Sequence, residues 1–151
     1  MGGVAGHPGL EEAFPWAAER VGVLIGLEQE AVEVARGDVL VHFDLFAHNV
    51  VVGADRVVVV DWPHARRGAR FVDPVMLLSS VDGVDGDRVV AGHPSTAGVP
   101  ARSVDAVLAA HAGFCVAGAL TITDPRLAVI REAKVRLAGT ALEWLGRRWG
   151  R

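Results

Sequence analysis

The sequence predicts an α+β chain, mostly α, in which helices precede and follow a small β-hairpin. Three observations carry this. Apolar residues recur at helical spacing before residue 37, short β-branched runs fill residues 38–61, and two long helical stretches follow residue 99. With 151 residues, half of them apolar, the chain is long enough for one domain with a core and too apolar for general disorder.

The elements follow in order. Residues 1–9, "MGGVAGHPG", lack periodicity and are expected to be a loose end. "LEEAFPWAAER" predicts a short helix that tolerates Pro15 near its first turn. From Val21 to Arg36, residues Val23, Leu24, Leu27, Ala31, Val34 and Ala35 keep helical spacing, and Gly37 stands where helices commonly stop. "DVLV", "NVVVG" and "DRVVVVD" predict strands, with "GADR" as the hairpin turn. The unbroken "VVVV" predicts burial on both faces. "DWPHARRGARF" reads as an irregular loop, and "DPVMLLSSV" as a helix with Asp73 as N-cap and Pro74 first in the helix. "DGVDGD" reads as a solvated loop. A long helix follows from Val99, and a second is capped by Asp124 and Pro125. The latter presents Leu127, Ile130, Val135, Leu137, Ala138, Leu142 and Leu145 for packing, with Trp144 and Trp149 in its packing stripe.

Composition narrows the function. A formal net charge of −3 argues against a nucleic-acid surface, and "ARRGAR" and "GRRWGR" read as ordinary solvated faces. The single cysteine, Cys115, excludes an internal disulfide and reads as a buried small hydrophobe in an apolar helix. No apolar run is expected to reach the roughly 18 residues of a membrane span, and no basic-then-apolar leader opens the chain. The expected location is therefore cytoplasmic, with no membrane partner.

The stretch "LVHFDLFAHNVVV" places His42, Asp44 and Asn49 between two apolar runs. Buried polar groups must find partners or serve a site. Phosphoryl transfer needs a carboxylate to accept the proton of the attacking hydroxyl and hard oxygen ligands for metal ions on the phosphates. Asp44 and Asn49 have the spacing H-x-D-x-x-x-x-N, and Asp61 follows Asn49 by twelve residues at the end of a strand. A hairpin of that length returns Asp61 toward Asn49, where both can share one ion.

"LVHFDLFAHNVVVGADRVVVVDWPHARRG…FVDPVMLL" resembles the aminoglycoside phosphotransferase and choline kinase-like superfamily, which has the protein-kinase-like fold. The resemblance covers residues 21–80 by motif and implies an ATP-dependent transfer of phosphate to a hydroxyl of a small molecule, with Mg2+ as cofactor. It implies Asp44 as catalytic base, Asn49 and Asp61 as ligands of magnesium and hence of the nucleotide, and His42 as a brace of the loop. Asp73 corresponds to a position of structural support. Phe43 departs from the pattern, standing where the family has a small Gly, so the loop or its neighbour must adjust. Only Lys134 is a lysine, and residues 1–41 read as helix, so no glycine-rich cover or phosphate-binding lysine is expected before the motif. The expected organisation is an N-terminal extension over 1–20 and a kinase-like C-terminal lobe over 21–151, with the nucleotide lobe absent, ATP binding weak and the enzyme truncated.

Two other functions compete. One is a non-catalytic remnant or interaction module with the same lobe fold. The other is a metal-dependent hydrolase using His42, His48 and His64 with Asp44 and Asp61, although no H-E-x-x-H spacing supports it. The resemblance implies acidic residues that receive a cationic substrate, with Asp82, Asp85 and Glu143 as candidates. Without a covering lobe, the strands and the helix over 21–36 are expected to leave apolar side chains exposed. That face would then self-associate or dock a separate lobe.

Overall fold

The computed structural model describes residues 1–150, and its centre is a long apolar helix. That helix, α6 (Ala101–Thr121), buries Val104, Val107, Leu108, Ala112, Cys115 and Val116. Helix α3 (Val21–Val34) packs against it, as do α7 (Ala128–Arg148) and α4 (Val72–Leu78). Against the sequence expectation, α6 is long and apolar enough to cross a membrane by length and composition. Its apolar character is that of a core helix, since neighbours surround it and most of its apolar window is buried inside the protein. Each fully buried Leu or Val here contributes roughly 1.5–3 kcal/mol.

The architecture is α+β and mostly helical, as expected. The N-terminus departs from the loose end foreseen for it. A 3-10 turn at Gly2–Val4 buries Met1 and Val4. A Cβ on Gly113 would lie 2.4 Å from the Met1 nitrogen, so glycine lets this segment lie directly on α6. The expected short helix is two, α1 (Gly9–Ala13) and α2 (Pro15–Glu19), split at Phe14 with Pro15 opening the second. Leu10, Phe14 and Ala17 join the same core as the rest of the chain.

Four short strands make two antiparallel pairs. Strand β1 (Val39–Val41) pairs with β4 (Arg66–Gly68), Val41 opposite Arg66. Strand β2 (Val50–Val52) pairs with β3 (Val57–Val59), Val50 opposite Val59. The hairpin closes through the Gly53 N–H on the Arg56 carbonyl at 2.9 Å. Strand β4 was not expected, because "RRG" contains no β-branched residue. Gly37 has a reason beyond ending α3: a Cβ there would come within 2.4 Å of the Gly68 oxygen. Glycine lets the chain leaving α3 run against β4.

The expected burial of "VVVV" is corrected. Val57 is 62% exposed and Val52 75%, because the turn end of this two-stranded hairpin stands in solvent, while Val50 and Val59 at its base are half-buried. Leu40, Val23 and Val32 are exposed as well, so the apolar surface foreseen on the strands and on α3 is present. Three further expectations change. Asp73 does not cap α4; Phe71 occupies that position without a side-chain cap, and the Asp73 carboxylate is used elsewhere. "DGVDGD" is not merely a loop, since Asp85 caps α5 (Gly86–Gly92) by accepting the Arg88 N–H. Leu127, Ile130 and Val135 are exposed, while α7 buries Leu137, Ala138, Leu142, Trp144 and Leu145.

Candidate functional site

The segment after β1 turns sharply, and its backbone is held from two sides. The Asp73 carboxylate accepts the His42 N–H at 2.7 Å and the Phe43 N–H at 3.0 Å. These bonds cross 31 and 30 residues, so the first turn of α4 fixes the loop. His42 is buried and ties the loop to the hairpin. Its Nε2 lies 2.9 Å from the Val60 carbonyl, and its Nδ1 accepts the Asp44 N–H at 3.3 Å. With Nδ1 accepting, the proton sits on Nε2 and is donated to Val60. Both ring nitrogens are thereby engaged, which removes His42 as a transition-metal donor. The Trp62 ring leans against it at a steep tilt, centroids 4.7 Å apart.

Asn49 completes the loop. Its Nδ2 donates to the Asp44 carbonyl at 2.8 Å, which turns Oδ1 the other way. The Val60 N–H donates to the Asn49 carbonyl at 3.0 Å. Val60 therefore bonds to both His42 and Asn49, and Asp61 is the next residue. One continuous set of hydrogen bonds runs from Asp73 through His42 to Val60 and from Val60 through Asn49 to Asp44. The bonds that hold Asp44 itself run through its backbone, leaving the carboxylate free to face a cavity.

Two backbone conformations at this site are costly. Phe43 has φ of 63° and Asp61 φ of 64°, the left-handed region that glycine favours. Such residues persist where surrounding structure forces them, at about 1–3 kcal/mol each, and they cluster at functional sites. The Asp73 bonds impose the first, and the His42–Val60 bond constrains the chain just before the second. Phe43 thus keeps a glycine-like backbone, and its neighbour makes the adjustment. A Cβ on Gly68 would meet the Phe43 ring at 2.6 Å, so glycine at 68 makes room for the aromatic at 43.

The Asp44 carboxylate lines a cavity of about 590 Å³ between α3, the loop, β4, α4 and α6. Asn49 and Asp61 are not among its walls. Asp44 therefore stands with an open volume on one side and the Asn49–hairpin junction on the other. Asn49 and Asp61 offer oxygen donors suited to magnesium, which is held by one or two carboxylates together with phosphate oxygens. Among the described residues, no three His, Cys, Asp or Glu side chains converge on a metal position. His48 and His64 are exposed.

Sequence reasoning missed the cavity floor. His111 on α6 is buried, with Nδ1 2.8 Å from Ser79 Oγ and Nε2 3.2 Å from Cys115 Sγ. Ser79 gives its proton to the Met76 carbonyl at 2.7 Å, so His111 donates from Nδ1 and accepts the thiol proton at Nε2. Burial, with a smaller contribution from Lys134, lowers the His111 pKa to about 4, and burial raises the Cys115 thiol to about 11. Phe46 stacks on the His111 ring at 4.8 Å, and its N–H donates to the Asp44 carbonyl. The available signal was the four-residue spacing of His111 and Cys115 on one helix face. Cys115 is buried, as expected, and hydrogen-bonded as well.

The other acidic candidates lie away from this cavity. Asp82 accepts from Thr140 and Asp85 caps α5. Asp87 and Asp105 both pair with Arg148. Trp144 and Trp149 pack as expected, with their ring N–H groups on Asp87 and Asp105.

No curated protein and no solved structure matches the chain. A family model described as the phosphotransferase enzyme family, APH, matches residues 7–110, which include the His42–Asn49 loop, Asp61, Asp73 and most of the cavity wall. That span is more than half of the sequence, and the chain belongs to the phosphotransferase enzyme family.

Proposed function

We propose that the chain forms the acceptor-binding, C-terminal lobe of a protein-kinase-like small-molecule phosphotransferase. The observation that carries this is the hydrogen-bonded loop that holds Asp44 by its backbone and leaves its carboxylate on a cavity. In this reading Asp44 orients the acceptor hydroxyl and takes its proton as the oxygen attacks phosphorus. Asn49 Oδ1 and the Asp61 carboxylate would hold Mg2+. When bound, Mg2+ neutralises charge on the phosphates of ATP, the donor. His42 keeps the loop against the hairpin, and Asp73 holds its backbone. The exposed hairpin valines and Leu40 mark the face on which a nucleotide-binding lobe docks. The reaction belongs to the cytoplasm, where ATP is supplied.

Phosphate transfer from labelled ATP to hydroxyl acceptors tests this reading. Asp44→Asn is expected to lower turnover by roughly 100- to 10,000-fold, the usual contribution of a general base, with unchanged thermal unfolding. Equal turnover in the variant would remove Asp44 from the mechanism. A second reading, a ligand-binding module without turnover, is favoured by the position of the chain's one lysine. Lys134 Nζ stands 3.8 Å over the ring of Phe114, a wall of the cavity beside Asp44, and so lies on the acceptor side of the site. Acceptor binding with no transfer under any donor condition would decide for the module.

A further inference from the structure

We propose that the cavity beside Asp44 takes an apolar alcohol carrying one negative charge, whose anionic group is held by Arg66 and Arg67. The inference rests on the phosphotransferase reading of Asp44 and names the class of acceptor. The walls are predominantly hydrophobic: Phe43 and Phe46 from the loop, Met76 from α4, Val107 and Phe114 from α6. His111 adds no positive charge near pH 7, because its burial keeps it neutral.

The charges at the rim have unequal commitments. Glu28 accepts the Met1 amino group at 2.8 and 2.9 Å and the Gly2 N–H at 3.2 Å. Arg36 pairs with Glu33 at 2.9 Å. Among the described residues, neither Arg66 nor Arg67 has a carboxylate within ion-pair distance. The Arg66 guanidinium lies over the Phe43 ring at 4.2 Å, which steadies its plane without using its N–H donors. Arg67 gives only one bond, from Nη1 to the Asp38 carbonyl at 3.0 Å. Two guanidiniums with unused donors suit a carboxylate, phosphate or sulfate group.

A polycation would fit this site poorly. Its ammonium groups would meet two like charges at the rim. The acids suited to a cation, Asp82, Asp85 and Glu143, do not line the cavity. The arginines also face the acceptor rather than the donor phosphates. They share the cavity with Asp44, whereas Asn49 and Asp61 lie outside it.

Calorimetry on the full chain without nucleotide tests the class, using 10-hydroxydecanoate and its cationic counterpart 10-aminodecan-1-ol. The hydroxy acid is expected to bind at least tenfold more tightly, and Arg66→Glu to reverse the preference while the circular dichroism spectrum is unchanged. Equal or tighter binding of the amine, a preference untouched by Arg66→Glu, or no binding of either compound would overturn the proposal. Mg-ATP is then added to each. Selective binding of the hydroxy acid without its phosphorylation supports the anionic class and counts against turnover by this lobe alone, in favour of the ligand-binding module. Preferential phosphorylation of the amino alcohol ends the anionic class and leaves that reading intact.

Discussion

Two backbone N–H groups decide whether the loop carrying Asp44 keeps its shape. Both donate to Asp73, and the one on His42 lies in a buried segment. An unpaired buried donor costs about 1–3 kcal/mol. Asp73→Ala is therefore expected to destabilise the fold by about 2–4 kcal/mol in urea denaturation. Asp73→Asn, which keeps one acceptor oxygen, is expected to lose less. Equal stability of wild type and Asp73→Ala would show that the strained Phe43 backbone is held by something else. His111 gives a second expectation. Its pKa is about 4 when folded, chiefly through burial, and about 6.5 when unfolded. Between those values the unfolded chain binds a proton that the folded chain refuses. Stability from this residue is complete above pH 6.5, falls as pH drops toward 4, and is lost below that. The span is on the order of 3 kcal/mol. Unfolding midpoints measured at pH 7 and pH 4.5 should differ more in wild type than in His111→Gln, which lacks this contribution.

The elements differ in how far their sequences announce them. Helices α3 and α6 were readable because the apolar spacing of Leu24, Leu27 and Ala31, and of Val104, Leu108 and Cys115, records one-sided or all-round packing. Strand β4 was not readable, since Arg66 and Arg67 pair with β1 through backbone alone. The valine run misled for a related reason. β-Branched residues signal strand, but burial depends on what packs against the strand, and Val51, Val52, Val57 and Val58 of the hairpin stay exposed. Asp73 was read as a residue in a first turn and, through the resemblance, as support for the loop backbone; its carboxylate accepts the His42 N–H 31 positions earlier. The exposed hairpin leads to an expected association. Sedimentation over a concentration range should show weak self-association of the isolated chain. Val52→Thr with Val57→Thr should abolish it while changing stability by less than about 0.5 kcal/mol, as expected for exposed positions. A monomer at all concentrations, with no dye-binding apolar surface, would rule out docking through this face.

At the scale of the whole molecule, a helical core holds one short irregular segment rigid. Helix α6 supplies the floor beneath Phe46, α4 supplies Asp73, and the hairpin supplies Val60 and Asp61. Three regions distant in sequence thus meet at the loop 42–49. The spacing within that loop was visible in the sequence, and so was the return of the hairpin. The cavity was not, because its walls come from five separate segments. The central claim is that Asn49 and Asp61 form one metal position beside Asp44. Paramagnetic Mn2+, titrated in place of Mg2+ into the isotope-labelled chain, reads this position directly through line broadening of backbone amides. The account predicts that the amides of Asp44, Asn49 and Asp61 broaden first and together, and that Asp61→Asn removes the effect at all three. Broadening centred on Asp82, Asp85 and Asp87, or at Asp61 alone with Asp44 and Asn49 unaffected, would contradict it.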